Sequence, residues 1–142
     1  MKQKFIDLYM DWAERTARLS HARRLQVGAV IIKDDSVISY GYNGMPAGWD
    51  NNCENVVGFD NVGPVLKTKP EVLHAESNAI AKLAKSTNSG LGATMFITHA
   101  PCMECAKLIC QSGIGHVLYR NSYRDISGVT FLEKSGVKIE QI

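Results

Sequence analysis

The chain has 142 residues, 45% of them hydrophobic, which is enough to bury one core but leaves little room for a second, so a single domain over residues 1–142 is expected. Sixteen Lys and Arg against fourteen Asp and Glu give a formal charge of +2, which argues against dominant binding to nucleic-acid phosphates and suits a small anionic ligand. Met1-Lys2-Gln3-Lys4-Phe5-Ile6-Asp7 meets an acid before any apolar run develops, so neither a signal peptide nor a transmembrane helix is visible and the cytoplasm is the expected compartment. In that reducing setting the four cysteines are expected to be ligands, catalytic thiols or core residues rather than disulfide partners.

From Phe5 to Leu19, the residues Phe5, Leu8, Tyr9, Trp12, Thr16 and Leu19 recur at intervals of three and four, which predicts an amphipathic helix burying that stripe. Val27-Gly28-Ala29-Val30-Ile31-Ile32 and Val37-Ile38-Ser39-Tyr40-Gly41-Tyr42 are rich in strand formers and flank Lys33 to Ser36, which predicts a hairpin. Residues 43–70 carry Gly44, Pro46, Gly48, Gly58, Gly63, Pro64 and Pro70 and read as a long loop, of the kind that is commonly functional or disordered. A helix is expected from Val72 to Lys85 and a strand from Thr94 to Thr98. Pro101 then opens a helix from Cys102 to Ser112 that Gly113 ends. A strand at His116–Tyr119, a short helix near Thr130–Lys134 and a strand at Val137–Ile139 complete the order. Helices alternating with strands in the second half require crossovers, hence parallel pairing there beside an antiparallel hairpin: a mixed sheet flanked by helices.

The chemistry concentrates at two helix starts, His74-Ala75-Glu76 and Pro101-Cys102-Met103-Glu104-Cys105. Cys102 and Cys105, at i and i+3, share one helical face, and the positive end of a helix favours the thiolate that a metal requires. With His74 they form three ligands, which leaves one position of tetrahedral zinc open to water, the arrangement of a catalytic rather than a structural site. Glu76 is spaced to sit beside that water and to take a proton and later deliver it. The combined pattern matches the signature of zinc deaminases. A thioredoxin-like Cys-x-x-Cys pair and a purely structural zinc site are the competing readings, against which Pro101 before the pair and His74-Ala75-Glu76 upstream argue. Cys110 reads as a buried thiol, His21 and His116 as surface or boundary residues, and His99 as either pocket-lining or structural.

Beyond that motif, Arg24-Leu25-Gln26-Val27-Gly28-Ala29-Val30, Gly41-Tyr42-Asn43-Gly44-Met45-Pro46 and Cys105-Ala106-Lys107-Leu108-Ile109 resemble the deoxycytidylate deaminases of the cytidine deaminase superfamily, from about Arg24 to Asp125. The Gly-Tyr-Asn-Gly-x-Pro segment narrows the resemblance to that branch. It implies an α/β fold, a three-layer α/β/α with a five-stranded mixed sheet, and hydrolysis of dCMP to dUMP and ammonia that feeds thymidylate synthesis. By similarity the catalytic Zn2+ is held by His74, Cys102 and Cys105, with Glu76 as the proton shuttle. Asn43 is expected to hold sugar and base, Arg24, Tyr123 and Arg124 to surround the phosphate, and Ala75 and Thr98 to complete the substrate contacts.

The resemblance further implies a homohexamer activated by dCTP with Mg2+ and inhibited by dTTP, with the effector near Gly28, Gly44, Cys53 and Glu54. Some members carry a second zinc in the long loop, but residues 43–70 offer only Cys53 and no histidine for one. No nucleic-acid or membrane partner is expected. The competing enzyme reading is a tRNA adenosine deaminase, which uses the same zinc set on a flipped base and which the near-neutral charge disfavours. A zinc-stabilised interaction module is the non-enzymatic alternative, against which Glu76 argues.

Overall fold

The computed structural model describes residues 1–142. In chain order its elements are α1 (Gln3–Ala17), β1 (Gly28–Lys33), β2 (Ser36–Tyr42), β3 (Glu54–Asp60), β4 (Gly63–Thr68), α2 (Ala75–Ala84), β5 (Thr94–His99), α3 (Met103–Gln111), β6 (His116–Asn121), α4 (Ser127–Lys134) and β7 (Lys138–Gln141). The runs Ala29-Val30-Ile31-Ile32 and Met95-Phe96-Ile97 offer water no polar face, and they lie buried as neighbouring strands near the middle of a sheet ordered β2-β1-β5-β6-β7. β1 pairs antiparallel with both β2 and β5, while β5-β6-β7 run parallel through α3 and α4. The turn between β1 and β2 has Asp34 and Asp35 at φ 51° and 59°, a backbone whose twist suits a two-residue hairpin.

The alternation of side chains separates two apolar layers. On one face Val30, Ile32, Phe96 and Leu118 meet Tyr9, Met10 and Ala13 of α1. On the other, Ala29, Ile31, Met95, Ile97 and Val117 meet Ala75, Ala79 and Leu83 of α2, Ala106 and Ile109 of α3 and Leu132 of α4. This is the expected three-layer α/β/α arrangement with five mixed strands. Gly41 is what lets α2 lie so close: a Cβ there would stand 2.3 Å from the Ala75 carbonyl and 2.6 Å from the Ala79 amide. Ser39 Oγ donates to the Ala79 carbonyl at 2.7 Å and Asn78 Nδ2 to the Tyr42 carbonyl at 2.9 Å, which fixes α2 along its length.

Several boundaries differ from the sequence expectation. The face that α1 buries is Tyr9, Met10, Ala13, Thr16 and Ala17, while Phe5, Leu8, Trp12 and Leu19 of the expected stripe are exposed. Small residues win the contact because Gly28 brings the helix backbone against β1. α2 begins at Ala75 rather than Val72, since Leu73 is held extended by exchanging backbone hydrogen bonds with Gly44. α4 begins at Ser127, three residues before the expected start. The segment 43–70 is not all loop: β3 and β4 pair antiparallel as a separate two-stranded ribbon, turned by Asp60 Oδ1 accepting from the Val62 and Gly63 amides. No helix is long and apolar enough to cross a membrane.

Candidate active site

Two helix N-termini meet where the expected chemistry lies. His74 is the N-cap of α2 and Cys102 the N-cap of α3, so both ligands stand just outside their helices, while Cys105 lies in the first turn of α3. His74 Nδ1 lies 3.6 Å from Cys102 Sγ and 3.4 Å from Cys105 Sγ, and all three ligand atoms fall within 4.8 Å of one another. Zinc bonds of about 2.3 Å to sulfur and about 2.0–2.1 Å to nitrogen put tetrahedral N and S ligands about 3.6 Å apart, so His74 Nδ1 stands at zinc-ligand distance from both sulfurs.

The protons on this set are already poised for a cation. The Cys105 thiol donates to Cys102, and His74 adds a second hydrogen bond, which together hold the Cys102 thiol down at about 4. The shared proton, with burial next, pushes Cys105 far up. A divalent metal bound by these atoms takes the place of the protons they share. His74 is raised chiefly by its hydrogen bond to Cys102.

Glu76 lies in the first turn of α2 with 4% of its surface exposed. Burial, the largest cause, pushes its carboxyl up to about 7, against a smaller downward pull from His74. A carboxyl at that value gives and takes a proton near neutrality, which is what a general acid and base needs.

These groups open on a cavity of about 390 Å³, the size of a small-molecule site. His74, Ala75, Glu76 and Cys102 line it, and so do Arg24, Asn43, Tyr123 and Arg124, so every one of these sequence-expected residues shares one cavity. Arg24 Nη1 donates to Thr68 Oγ1 at 3.1 Å across to the β3–β4 ribbon. Asn43 is partly occupied already: its Oδ1 accepts from the Val27 amide at 2.8 Å and its Nδ2 donates to the Leu25 carbonyl at 2.8 Å. It thereby shapes the segment that leads from Arg24 into β1.

Other expected residues stand elsewhere. Thr98 is buried beneath the cavity and does not line it; its hydroxyl joins the Gly28 amide at 3.1 Å to His99 Nδ1 at 2.9 Å. The residue of that pair that lines the cavity is His99. Gly28 is packed against α1, where a Cβ would stand 2.1 Å from the Ala13 carbonyl. Gly44 pairs with Leu73. Cys53 and Glu54 are buried and line the same cavity as His74 and Cys102. Glu54 instead holds the turn before β1: its Oε2 accepts from the Arg23 and Arg24 amides at 2.9 and 3.1 Å, and its Oε1 lies 3.4 Å from Arg23 Nε. Sequence reasoning missed that role because no local pattern links Glu54 to residues thirty positions earlier. Cys110 is half-buried against the core, His21 is exposed, and His116 pairs with Glu140 at 2.9 Å.

Residues 3–121 match the family model described as the cytidine and deoxycytidylate deaminase zinc-binding region. The human deoxycytidylate deaminase is 36% identical over 141 residues, spanning 87% of this chain and 73% of its own. ComE operon protein 2 of Bacillus subtilis is 34% identical over 139 residues, spanning 94% of this chain and 69% of its own. The crystal structure of the dCMP deaminase of cyanophage S-TIM5, in complex with dCMP and dUMP, superposes with a TM-score of 0.90 at 40% identity, covering 100% of this chain and 99% of that one. A match across this share of the sequence, reinforced by a triad already at zinc spacing, makes the chain a member of the cytidine and deoxycytidylate deaminase family.

Proposed function

We propose that this chain hydrolyses dCMP to dUMP and ammonia and so supplies dUMP for thymidylate synthesis. The observation that carries the reading is the sharing of one 390 Å³ cavity by His74 and Cys102 of the metal triad, Glu76, Arg24 and Arg124. A cavity with deamination chemistry and two guanidiniums suits a pyrimidine that carries a phosphate, since guanidinium grips phosphate bidentately. The 40%-identical cyanophage enzyme, crystallised with dCMP and dUMP, supports the same substrate.

His74, Cys102 and Cys105 would hold the zinc. When bound, zinc supplies the Lewis acidity that makes water a nucleophile at neutral pH. Glu76 accepts the two protons of the attacking water in turn, passing the first to the ring nitrogen and the second to the departing amine, so that dCMP and water give dUMP and ammonia. Its burial keeps that carboxyl out of bulk water, and Ala75 and Asn43 limit where the pyrimidine and sugar lie. Arg24, Tyr123 and Arg124 orient the phosphate.

Assembly as a homohexamer, with dCTP and Mg2+ activating and dTTP inhibiting, belongs to the same reading and rests on the family resemblance. Exposed Leu8 and Trp12 on α1, with Val57, Phe59 and Val62 on the β3–β4 ribbon, are apolar surface of the kind that subunit contacts cover.

Incubation of the purified protein with dCMP, CMP, deoxycytidine and dCTP, following ammonia, tests the reaction and the substrate together. dCMP should react with the highest kcat/KM; equal kcat/KM for deoxycytidine would remove the phosphate contacts from the account, and no ammonia from any substrate would remove the reaction.

A further inference from the structure

The end of β5 carries a hydrogen-bond relay that fixes the protonation of a cavity-lining side chain. Thr98 is 3% exposed, so its hydroxyl must find its partners inside the protein. The Gly28 amide donates to Thr98 Oγ1 at 3.1 Å. An amide cannot accept, so the hydroxyl proton needs another acceptor, and the atom at hand is His99 Nδ1 at 2.9 Å. If Nδ1 carried a proton instead, it and the Gly28 amide would both point at Oγ1 and the hydroxyl proton would be left buried without an acceptor, a loss that proteins seldom tolerate. Nδ1 is therefore the acceptor, and the ring proton sits on Nε2.

The ring is also held in place. Asn121 Nδ2 donates to the Thr98 carbonyl at 2.7 Å, and the Ala100 amide donates to the Asn121 carbonyl at 2.9 Å, so both neighbours of His99 are tied to β6. Only Nδ1 is used within the chain, which leaves the Nε2–H free for a ligand in the cavity that His99 lines. His99 pairs with Asn121 in the β5–β6 register, and Tyr123 and Arg124 follow shortly after. On the other side of β5, Gly28 follows the segment from Arg24 to Val27. His99 thus stands between the two segments that bring guanidiniums to the cavity. Burial lowers its affinity for a second proton, consistent with a neutral ring.

We propose that His99 is a specificity-determining residue that donates its Nε2–H to the 5′-phosphate of the substrate nucleotide. Beside Arg24 and Arg124 it adds a directional donor without another charge, and its direction is set by Thr98. The proposal rests on the dCMP reading above.

Two measurements test it. Nitrogen-15 NMR of the histidine side chains in the intact protein should show His99 neutral with the proton on Nε2, and Thr98→Val should release it to a mixture of tautomers; a proton on Nδ1 in the wild type overturns the relay. Steady-state kinetics of His99→Leu should then show kcat/KM for dCMP reduced about ten- to a hundredfold, the range for a hydrogen bond to a charged group, with deoxycytidine unaffected. His99→Gln, which keeps an N–H at the same reach, should recover most of that loss. Equal losses on both substrates would assign His99 to the base, and unchanged dCMP kinetics would assign it to structure alone; either overturns the proposal. A wild-type protein inactive on dCMP would overturn the functional reading together with this one, whereas an active wild type with either of those patterns would overturn this one alone.

Discussion

Replacing Glu54 with Ala separates structural support from phosphate binding at a residue that touches neither the metal set nor the reacting atoms. Its carboxylate is 2% exposed and accepts from the backbone amides of Arg23 and Arg24 at 2.9 and 3.1 Å. Hydrogen bonds to a charged group contribute about 1.5–3 kcal/mol each, so losing both in a buried setting should destabilise the chain by roughly 3–5 kcal/mol. For a chain of 142 residues that corresponds to a fall in Tm of roughly 10–15 °C. Glu54→Gln keeps one oxygen for the two amides and should lose only about 1–2 kcal/mol. Because the same turn carries Arg24, KM for dCMP should rise about tenfold in Glu54→Ala, with kcat nearly retained and deoxycytidine kinetics unmoved. Thermal unfolding and the two sets of kinetics read these effects. A variant as stable as the wild type with an unchanged KM for dCMP would refute the assignment of Glu54 to holding the Arg24 turn.

Glu76→Gln should keep zinc and fold but lose turnover by about 10²- to 10⁴-fold, measured as kcat with zinc content determined in parallel; activity within a few fold of wild type would take Glu76 out of proton transfer. Gly28→Ala would press a methyl group onto the Ala13 carbonyl and the Ala17 amide of α1, at 2.1 and 2.5 Å, and should lower stability by about 1–3 kcal/mol in thermal unfolding. An unchanged Tm would mean that α1 yields freely. For control, a sigmoidal dCMP curve should become hyperbolic with dCTP and Mg2+, and dTTP should lower activity. Because the two effectors share sugar and phosphates, opposite effects require each to favour a different state of the oligomer. A hyperbolic curve that neither nucleotide alters would show chemistry without control.

The metal triad and Glu76 were legible in the sequence because their spacing is local: His-x-Glu and Cys-x-x-Cys each fall within a few residues at the start of one helix, and Pro101 marks where the second helix starts. The five-stranded sheet was legible for a similar reason, since runs such as Ala29–Ile32 fit only a strand buried on both faces. The β3–β4 ribbon was not. Gly58, Gly63 and Pro64 mark a loop by composition, yet a two-stranded ribbon tolerates them at a bulge and a turn, where no neighbouring strand demands the missing donor. The buried face of α1 was misread because large side chains dominate a periodicity count, whereas close packing on Gly28 selects Ala13 and Ala17. The relay through Thr98 to His99 joins residues seventy positions apart at its Gly28 end, and only the strand pairing brings them together.

The most direct test is to strip the purified protein of metal with a chelator and titrate zinc back while measuring dUMP formed from dCMP. Activity should be absent at the start, rise in proportion to zinc and level off at about one ion per chain, with Cys102→Ala inactive at every point, because one set of three ligands at tetrahedral spacing is present. Full activity in the stripped protein, or no dUMP at any zinc loading, would contradict the account.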